Sequence, residues 1–173
     1  MRGSNLLLSR TSAPATGVTS SMTIRRYPPD RLDEALALGR AMHGESRFRQ
    51  LDFSAQRVAA LLARPNVFCA FSIAGNGATT GFFLGVAQPL WFSGELHGFD
   101  LALYLKPEHR NRRTRDAVRL VQAFEQFCRE QGCAEINLGS TAEIAPESAR
   151  RLYAALGYQE CGFITQKGLR PCA

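Results

Sequence analysis

Five arginines crowd one segment, HRNRRTRDAVR: Arg110, Arg112, Arg113, Arg115 and Arg119. A guanidinium presents a planar fork of N–H donors that grips phosphate or carboxylate through paired hydrogen bonds. The run permits an anionic ligand that carries phosphate or carboxylate. A nucleic-acid backbone is the competing reading, disfavoured because no aromatic residue is interleaved with these cations. The three histidines, His43, His97 and His109, stand far apart and lack metal-ligand spacing, so no metal is expected. The five cysteines, at 69, 128, 133, 161 and 172, are odd in number, scattered and without a CxxC pair. That pattern argues against a disulfide framework or a zinc site and for a reducing cytoplasm.

The elements that must position such a cluster follow from length and periodicity. A chain of 173 residues is one ordinary domain, able to bury roughly 70% of its unfolded surface. The apolar share of 45% and charged share of 21% are globular and exclude wholesale disorder. No apolar run approaches the ~18 residues that span a bilayer, so no membrane partner is expected. The net charge of +6 permits an anionic ligand without specifying one. Residues 1–21 are rich in Ser, Thr, Gly and Ala and contain no acid, and their Leu6-Leu7-Leu8 cluster is too short for a secretory signal. They read as a disordered extension ahead of a single domain at 22–173.

Within that domain, alternation predicts a strand at 23–27. Pro28-Pro29-Asp30 ends it, with Asp30 as the N-cap of a helix running to about Gly44. Ser54 begins a second helix that turns Val58, Leu61 and Leu62 inward. A buried strand spans 67–73, and the Gly75-Asn76-Gly77 turn leads to its partner at 81–87. Trp91 and Phe92 lie in the next loop, where core or interface packing is expected of them. A strand at 99–105 ends at Pro107. A long helix follows, with Ala117, Leu120, Val121, Phe124 and Phe127 at helical spacing, ending near Gly132. A strand at 134–138, a helix from Pro146 to Leu156 stopped by Gly157, and a closing strand at 158–165 complete the order β-α-α-β-β-β-α-β-α-β. The expected fold class is α+β: a mostly antiparallel sheet flanked by helices, with one parallel pair across the long helix.

That order, together with three segments, resembles the GNAT superfamily of acetyl-CoA-dependent N-acetyltransferases. LALYLKPEHRNRRTRDAVRLVQAFEQFCREQG, residues 101–132, is similar to the family's strand–Pro–x–x–Arg–loop–helix segment. CAEINLGS, 133–140, is similar to the strand that follows. SARRLYAALGYQECGF, 148–163, is similar to the family ending A-x-x-L-Y-x-x-x-G-F/Y. The resemblance covers about 22–169 and implies a GNAT fold and an acyltransferase that uses acetyl-CoA as co-substrate. It also implies backbone N–H groups of Leu103, Tyr104 and Leu105 that meet the pantetheine arm and thioester. A loop of Arg110, Asn111, Arg112, Arg113, Thr114 and Arg115 would then cradle the pyrophosphate at a helix N-terminus. The family loop is R/Q-x-x-G-x-G/A, and here Arg113 and Arg115 stand at its two glycine positions. Guanidiniums can bind the 3′-phosphate or pyrophosphate directly, so the loop is either rebuilt with side chains or degenerate. Pro146 stands where the family often has Asn.

By the same resemblance Tyr153 is the proton donor to the departing CoA thiolate. The acceptor amine must lose a proton to attack, and Asp100 is the first candidate base, with Glu95, Glu45 and His97 as alternatives. His43 and Glu45 follow the first helix, where family members shape the acceptor pocket. The acceptor is an amine of a small molecule or a protein, and a homodimer is a family-based expectation. A GNAT-fold protein that binds a partner without catalysis is the alternative reading.

Overall fold

The strand predicted at 67–73 is apolar but for the small Ser72 and is bounded by Pro65 and Gly75, which suits a strand covered on both faces. In a computed structural model of the chain it forms the second strand of a five-stranded sheet. The structure describes residues 23–26, 31–110, 114–162, 164–165 and 167. The N-terminal segment 1–21 lies outside the described residues.

The strands are β1 (Thr23–Arg26), β2 (Val67–Ile73), β3 (Thr79–Pro89), β4 (Leu96–Leu105) and β5 (Glu135–Asn137). They lie in the spatial order β1-β2-β3-β4-β5. All neighbours are antiparallel except β4 and β5, which run parallel across the long helix. The helices are α1 (Leu32–Glu45), α2 (Ala55–Leu62), α3 (Pro107–Arg110), α4 (Thr114–Gln131) and α5 (Pro146–Ala155).

Alternation along β2 divides the core. Phe68 and Ala70 face α4 and join Phe83, Leu120, Val121, Phe124 and Phe127. Cys69 and Phe71 face α1 and join Ala35, Leu38, Phe82, Ala102 and Tyr104. The fit of α4 on the sheet is close because two strand positions lack a side chain. A Cβ on Gly85 would lie 2.5 Å from the Phe124 ring, and one on Gly98 would lie 2.5 Å from Cys128 Sγ.

Several expectations are corrected. The N-cap of α1 is Arg31, with no capping side chain; Arg31 pairs with Glu34 at 2.7 Å instead. Ser54 does cap α2, accepting the Arg57 N–H, but no α2 residue is fully buried. The long helix is α4, and ahead of it Pro107–Arg110 form the short α3, which is not among the expected elements; residues 111–113 lie outside the described ones. The closing strand at 158–165 is absent among its described residues. Its would-be neighbour β5 has only three residues, and Gln159–Gly162 are all exposed, so that stretch has no buried face to fix a register. Trp91 and Phe92 are 94% and 68% exposed, with their rings edge-on at 5.2 Å, so the core half of that expectation fails.

Candidate active site

The parallel pairing of β4 with β5 is brief: His97 meets Glu135, Gly98 meets Ile136 and Phe99 meets Asn137. From Asp100 onward β4 continues to Leu105 with no strand paired on that side among the described residues. Between the diverging strands lies a cleft of about 410 Å³. Met42 of α1, the 138–142 segment after β5, and Ala149 and Tyr153 of α5 complete its walls.

Which backbone groups face the cleft follows from the ladder. Lys106 N–H donates to Thr80 C=O at 2.9 Å. Antiparallel residues alternate their N–H and C=O between sides, so Tyr104 directs its own to β3, opposite Phe82. Leu103 and Leu105 direct theirs to the open side. The Leu105 C=O confirms this parity by accepting Arg110 Nε at 2.9 Å. Of the three N–H groups expected at the cofactor arm, Leu103 and Leu105 are free of β3 and Tyr104 is not.

Asp100 reaches the cleft through a bulge. Leu84 pairs with Ala102 and Gly85 with Asp100, which leaves Leu101 as an extra residue on β4. Beyond the bulge, Ala102 and Tyr104 face α1 while Leu103 and Leu105 face α4. Before it, Gly98 faces α4 against Cys128, and Asp100 shares that parity. Without the extra residue Asp100 would fall on the α1 face with Ala102.

Asp100 Oδ1 accepts the Gly139 N–H at 2.9 Å, and Asp100 and Tyr153 line the same cleft, close enough for each to shift the other's titration. Burial pushes the Asp100 carboxyl up to about 6, against the opposing pull of the Gly139 N–H, its own backbone N–H and the Tyr153 hydroxyl. Burial first, and the Asp100 charge second, push the Tyr153 phenol well above its ordinary value.

Tyr153 is held by the way α5 ends. Gly157 has φ +90, its N–H donates to Ala154 C=O at 3.0 Å, and Tyr158 N–H donates to Tyr153 C=O at 3.0 Å. This is a Schellman cap, which sets the residue after the glycine against the one three before the helix end. The Tyr153 and Tyr158 rings accordingly lie 6.0 Å apart, and Tyr158 is anchored by its hydroxyl to Glu125 at 3.0 Å. The glycine and aromatic that close the 148–163 segment thus fix the tyrosine within it.

One end of the cleft is bounded by two loops tied together. Arg47 N–H donates to Ala142 C=O at 3.1 Å, and Arg47 Nη1 lies 3.7 Å from Glu143 Oε1. Glu143 and Ala145 adopt φ of +61 and +49 around Ile144, a conformation that costs a residue with a Cβ.

The remaining expected site residues lie elsewhere. Glu45 accepts Tyr104 Oη and Arg110 Nη2, each at 2.6 Å. Burial raises its carboxyl, but the hydrogen bonds from Tyr104 and Arg110 and the Arg110 charge outweigh burial and hold it below the ordinary value. Glu45 is thus an ion-pair anchor, and Arg110 is committed to it and to Leu105. His43 packs edge-on against Phe53 at 5.7 Å and does not line the cleft. Glu95 is exposed in the β3–β4 loop, and His97 stacks on Phe99. Asn111, Arg112 and Arg113 lie outside the described residues, Thr114 begins α4, and Arg115 is exposed in its first turn. Among the described residues no group of three or more His, Cys, Asp or Glu stands together as a metal site. No described helix is long and apolar enough to cross a membrane. Gly139 and Leu101 are the two site residues that sequence reasoning misses. The Gly139-Ser140 pair after an apolar strand is the turn signal that could have found the first.

A splayed β4–β5 pair with open N–H groups, followed by a helix start, carries the GNAT resemblance into three dimensions. The sequence profile of the Acetyltransferase (GNAT) family matches residues 34–158. The chain belongs to the GNAT acetyltransferase family. No curated protein matches it by sequence. Solved structures share the GNAT fold at low identity. Aminoglycoside N-acetyltransferase AAC(6')-Iy in complex with CoA superposes with TM-score 0.71 at 17% identity, covering 91% of this chain and 100% of that one. An aminoglycoside acetyltransferase, HMB0005, from an uncultured soil metagenomic sample gives 0.69 at 17%, covering 87% and 99%. The 6'-N-acetyltransferase AAC(6')-Ih from Acinetobacter baumannii gives 0.66 at 16%, covering 88% and 100%.

Proposed function

We propose that this GNAT protein transfers an acetyl or other short acyl group from acyl-CoA to an amine by direct attack. The observation that carries the reading is the meeting of Asp100 and Tyr153 where β4 leaves β5, beside the unpaired N–H of Leu103. The open β4 edge suits a pantetheine arm, because its free donors match the amide carbonyls of an extended chain. CoA in the AAC(6')-Iy complex supports acyl-CoA as the co-substrate.

In this reading Asp100 takes a proton from the acceptor ammonium, and the neutral amine then attacks the thioester carbonyl, forming the C–N bond as the C–S bond breaks and the CoA thiolate leaves. With a carboxyl near 6, Asp100 is ionised at neutral pH yet a stronger base than an ordinary aspartate. The Leu103 N–H is the available donor for the carbonyl oxygen as charge develops there. Tyr153 then delivers a proton to the leaving sulfur. The two groups are coupled: once Asp100 is protonated, its charge no longer raises the Tyr153 phenol, which becomes a better acid at the moment a donor is needed. Arg112, Arg113 and Arg115 are the proposed phosphate contacts, with Arg110 held aside by Glu45. The acceptor is a small-molecule amine, the class to which the aminoglycosides named for the structural neighbours belong.

The test is calorimetric titration of the protein with acetyl-CoA and with the dephospho form, followed by an amine screen that reads thiol release. Binding that weakens without the 3′-phosphate, plus amine-dependent thiol release, is the expected result. Absence of binding to either form would leave a GNAT fold without its co-substrate and overturn the reading.

A further inference from the structure

Away from the cleft, α4 ends on the same kind of cap as α5. Gly132 has φ +75, its N–H donates to Arg129 C=O at 3.1 Å, and Cys133 N–H reaches back to Cys128 C=O at 2.9 Å. Where this cap sets Tyr158 against Tyr153 at the end of α5, here it sets Cys133 against Cys128. Both thiols are free. Cys128 is 1% exposed within the α4-side core, and Cys133 is half-buried against the same core. Burial, with the neighbouring Cys133 second, pushes the Cys128 thiol up to about 12, so it stays protonated at neutral pH. Both line a second cavity of about 400 Å³, whose rim carries Arg129, Glu125 and Tyr158. The pair sits at the root of the strand divergence, because Cys128 Sγ occupies the space in front of Gly98 on β4.

We propose that Cys128 and Cys133 form a dithiol site that closes to a disulfide by exchange with a low-molecular-weight disulfide such as oxidised glutathione. The cap already brings the two backbone segments together, which is the geometric requirement that most cysteine pairs fail. Exposure divides the roles. Cys133 opens onto the cavity and attacks one sulfur of the small disulfide; that S–S bond breaks and one small thiolate leaves, giving a mixed disulfide on Cys133. Cys128 then loses its proton and attacks the Cys133 sulfur, expelling the second small thiolate. Two protein thiols are oxidised, one small disulfide is reduced to two thiols, and the two protons released pass to those thiols. Cys128 is too deeply buried to meet the small disulfide itself, but its attack on the residue that the cap sets against it is intramolecular and gains the corresponding effective concentration.

The site is read on the unaltered full chain. The protein is incubated with oxidised glutathione, free thiols are alkylated, and trypsin is added. Trypsin cuts after Arg129, between the two cysteines, so the disulfide appears as two joined peptides that separate on reduction. The expected result is that joined pair, while exposed Cys161 carries glutathione or alkyl. Glutathione retained on Cys133 of the unaltered chain would overturn the proposal. Alkylation of Cys128 and Cys133 as separate peptides, under conditions that modify Cys161, would overturn it as well. In Cys128→Ser the mixed disulfide on Cys133 should accumulate, and its absence there would refute the assigned order of attack.

Discussion

If burial holds the Asp100 carboxyl near 6, the protein is less stable at neutral pH for keeping that charge, and Asp100→Asn should recover the cost. A rise from 3.8 to about 6 corresponds to about 3 kcal/mol at about 1.4 kcal/mol per pH unit. The sign is that of a raised folded-state value: the folded protein binds this proton more tightly than the unfolded chain. Stability from Asp100 is therefore full below pH 3.8 and is lost as pH rises through about 6. Asparagine keeps the shape and an oxygen for the Gly139 N–H, and removes the charge. Relative to the native chain, Asp100→Asn should gain about 3 kcal/mol at pH 7.5 but only about 1.6 kcal/mol at pH 5, by the same linkage. The assay is urea unfolding followed by far-UV circular dichroism at both pH values, with the slope checked for constancy. The pH difference is the decisive quantity, since any hydrogen bond altered by the amide contributes equally at both. A stability difference that does not change between pH 5 and 7.5 would refute the raised carboxyl. In the same variant turnover should fall by about 10²–10⁴, the usual range for a lost general base.

Tyr153→Phe keeps the ring against Tyr158 and removes the proton donor; turnover should fall by about 10² or more while acetyl-CoA affinity in calorimetry stays within a few-fold. Equal turnover would remove Tyr153 from the chemistry. Gly157→Ala forces a Cβ into φ +90 and should cost about 1 kcal/mol or more in denaturant unfolding, whereas Ala145→Gly relieves φ +49 and should be stabilising by a few tenths to about 1 kcal/mol. Glu45→Gln breaks the contact with Arg110. Because the carboxyl is held below its ordinary 4.5, that stability is present above pH 4.5 and fades as pH falls. The variant should lose about 1 kcal/mol at pH 7, the scale of a partly exposed pair, and little at pH 3.

The elements legible in the sequence are those whose residues carry their own register. The 67–73 strand needs no partner to be read, because every position is apolar or small and turn residues bound it; Gly77, at φ +83, completes the turn that follows. The long helix announces itself through the stripe from Ala117 to Phe127, all of it buried against the sheet in the structure. The closing strand is absent among its described residues although its alternation is fair: the neighbouring β5 is three residues long, and Gln159–Gly162 stay exposed.

The site shows the same division at finer scale. Taking Leu103, Tyr104 and Leu105 as three equivalent donors conflicts with the period of two in any strand, which allows only alternate N–H groups on one side. Strand geometry alone is enough to correct that expectation. It is not enough to place Asp100. By strict alternation Asp100 shares a face with Ala102 and Tyr104, which look toward α1, and it would then point away from Tyr153. The extra residue Leu101 reverses the parity between Ala102 and Asp100. Nothing in FDLALYL marks it, since no glycine or proline stands there and Leu101 is as good a strand residue as its neighbours. The bulge arises from pairing with β3 between Leu84 and Gly85, a relation between segments well separated along the chain. The contact between Asp100 and Tyr153 is therefore a product of sheet register, and any substitution that erased the bulge would separate the two groups without touching either.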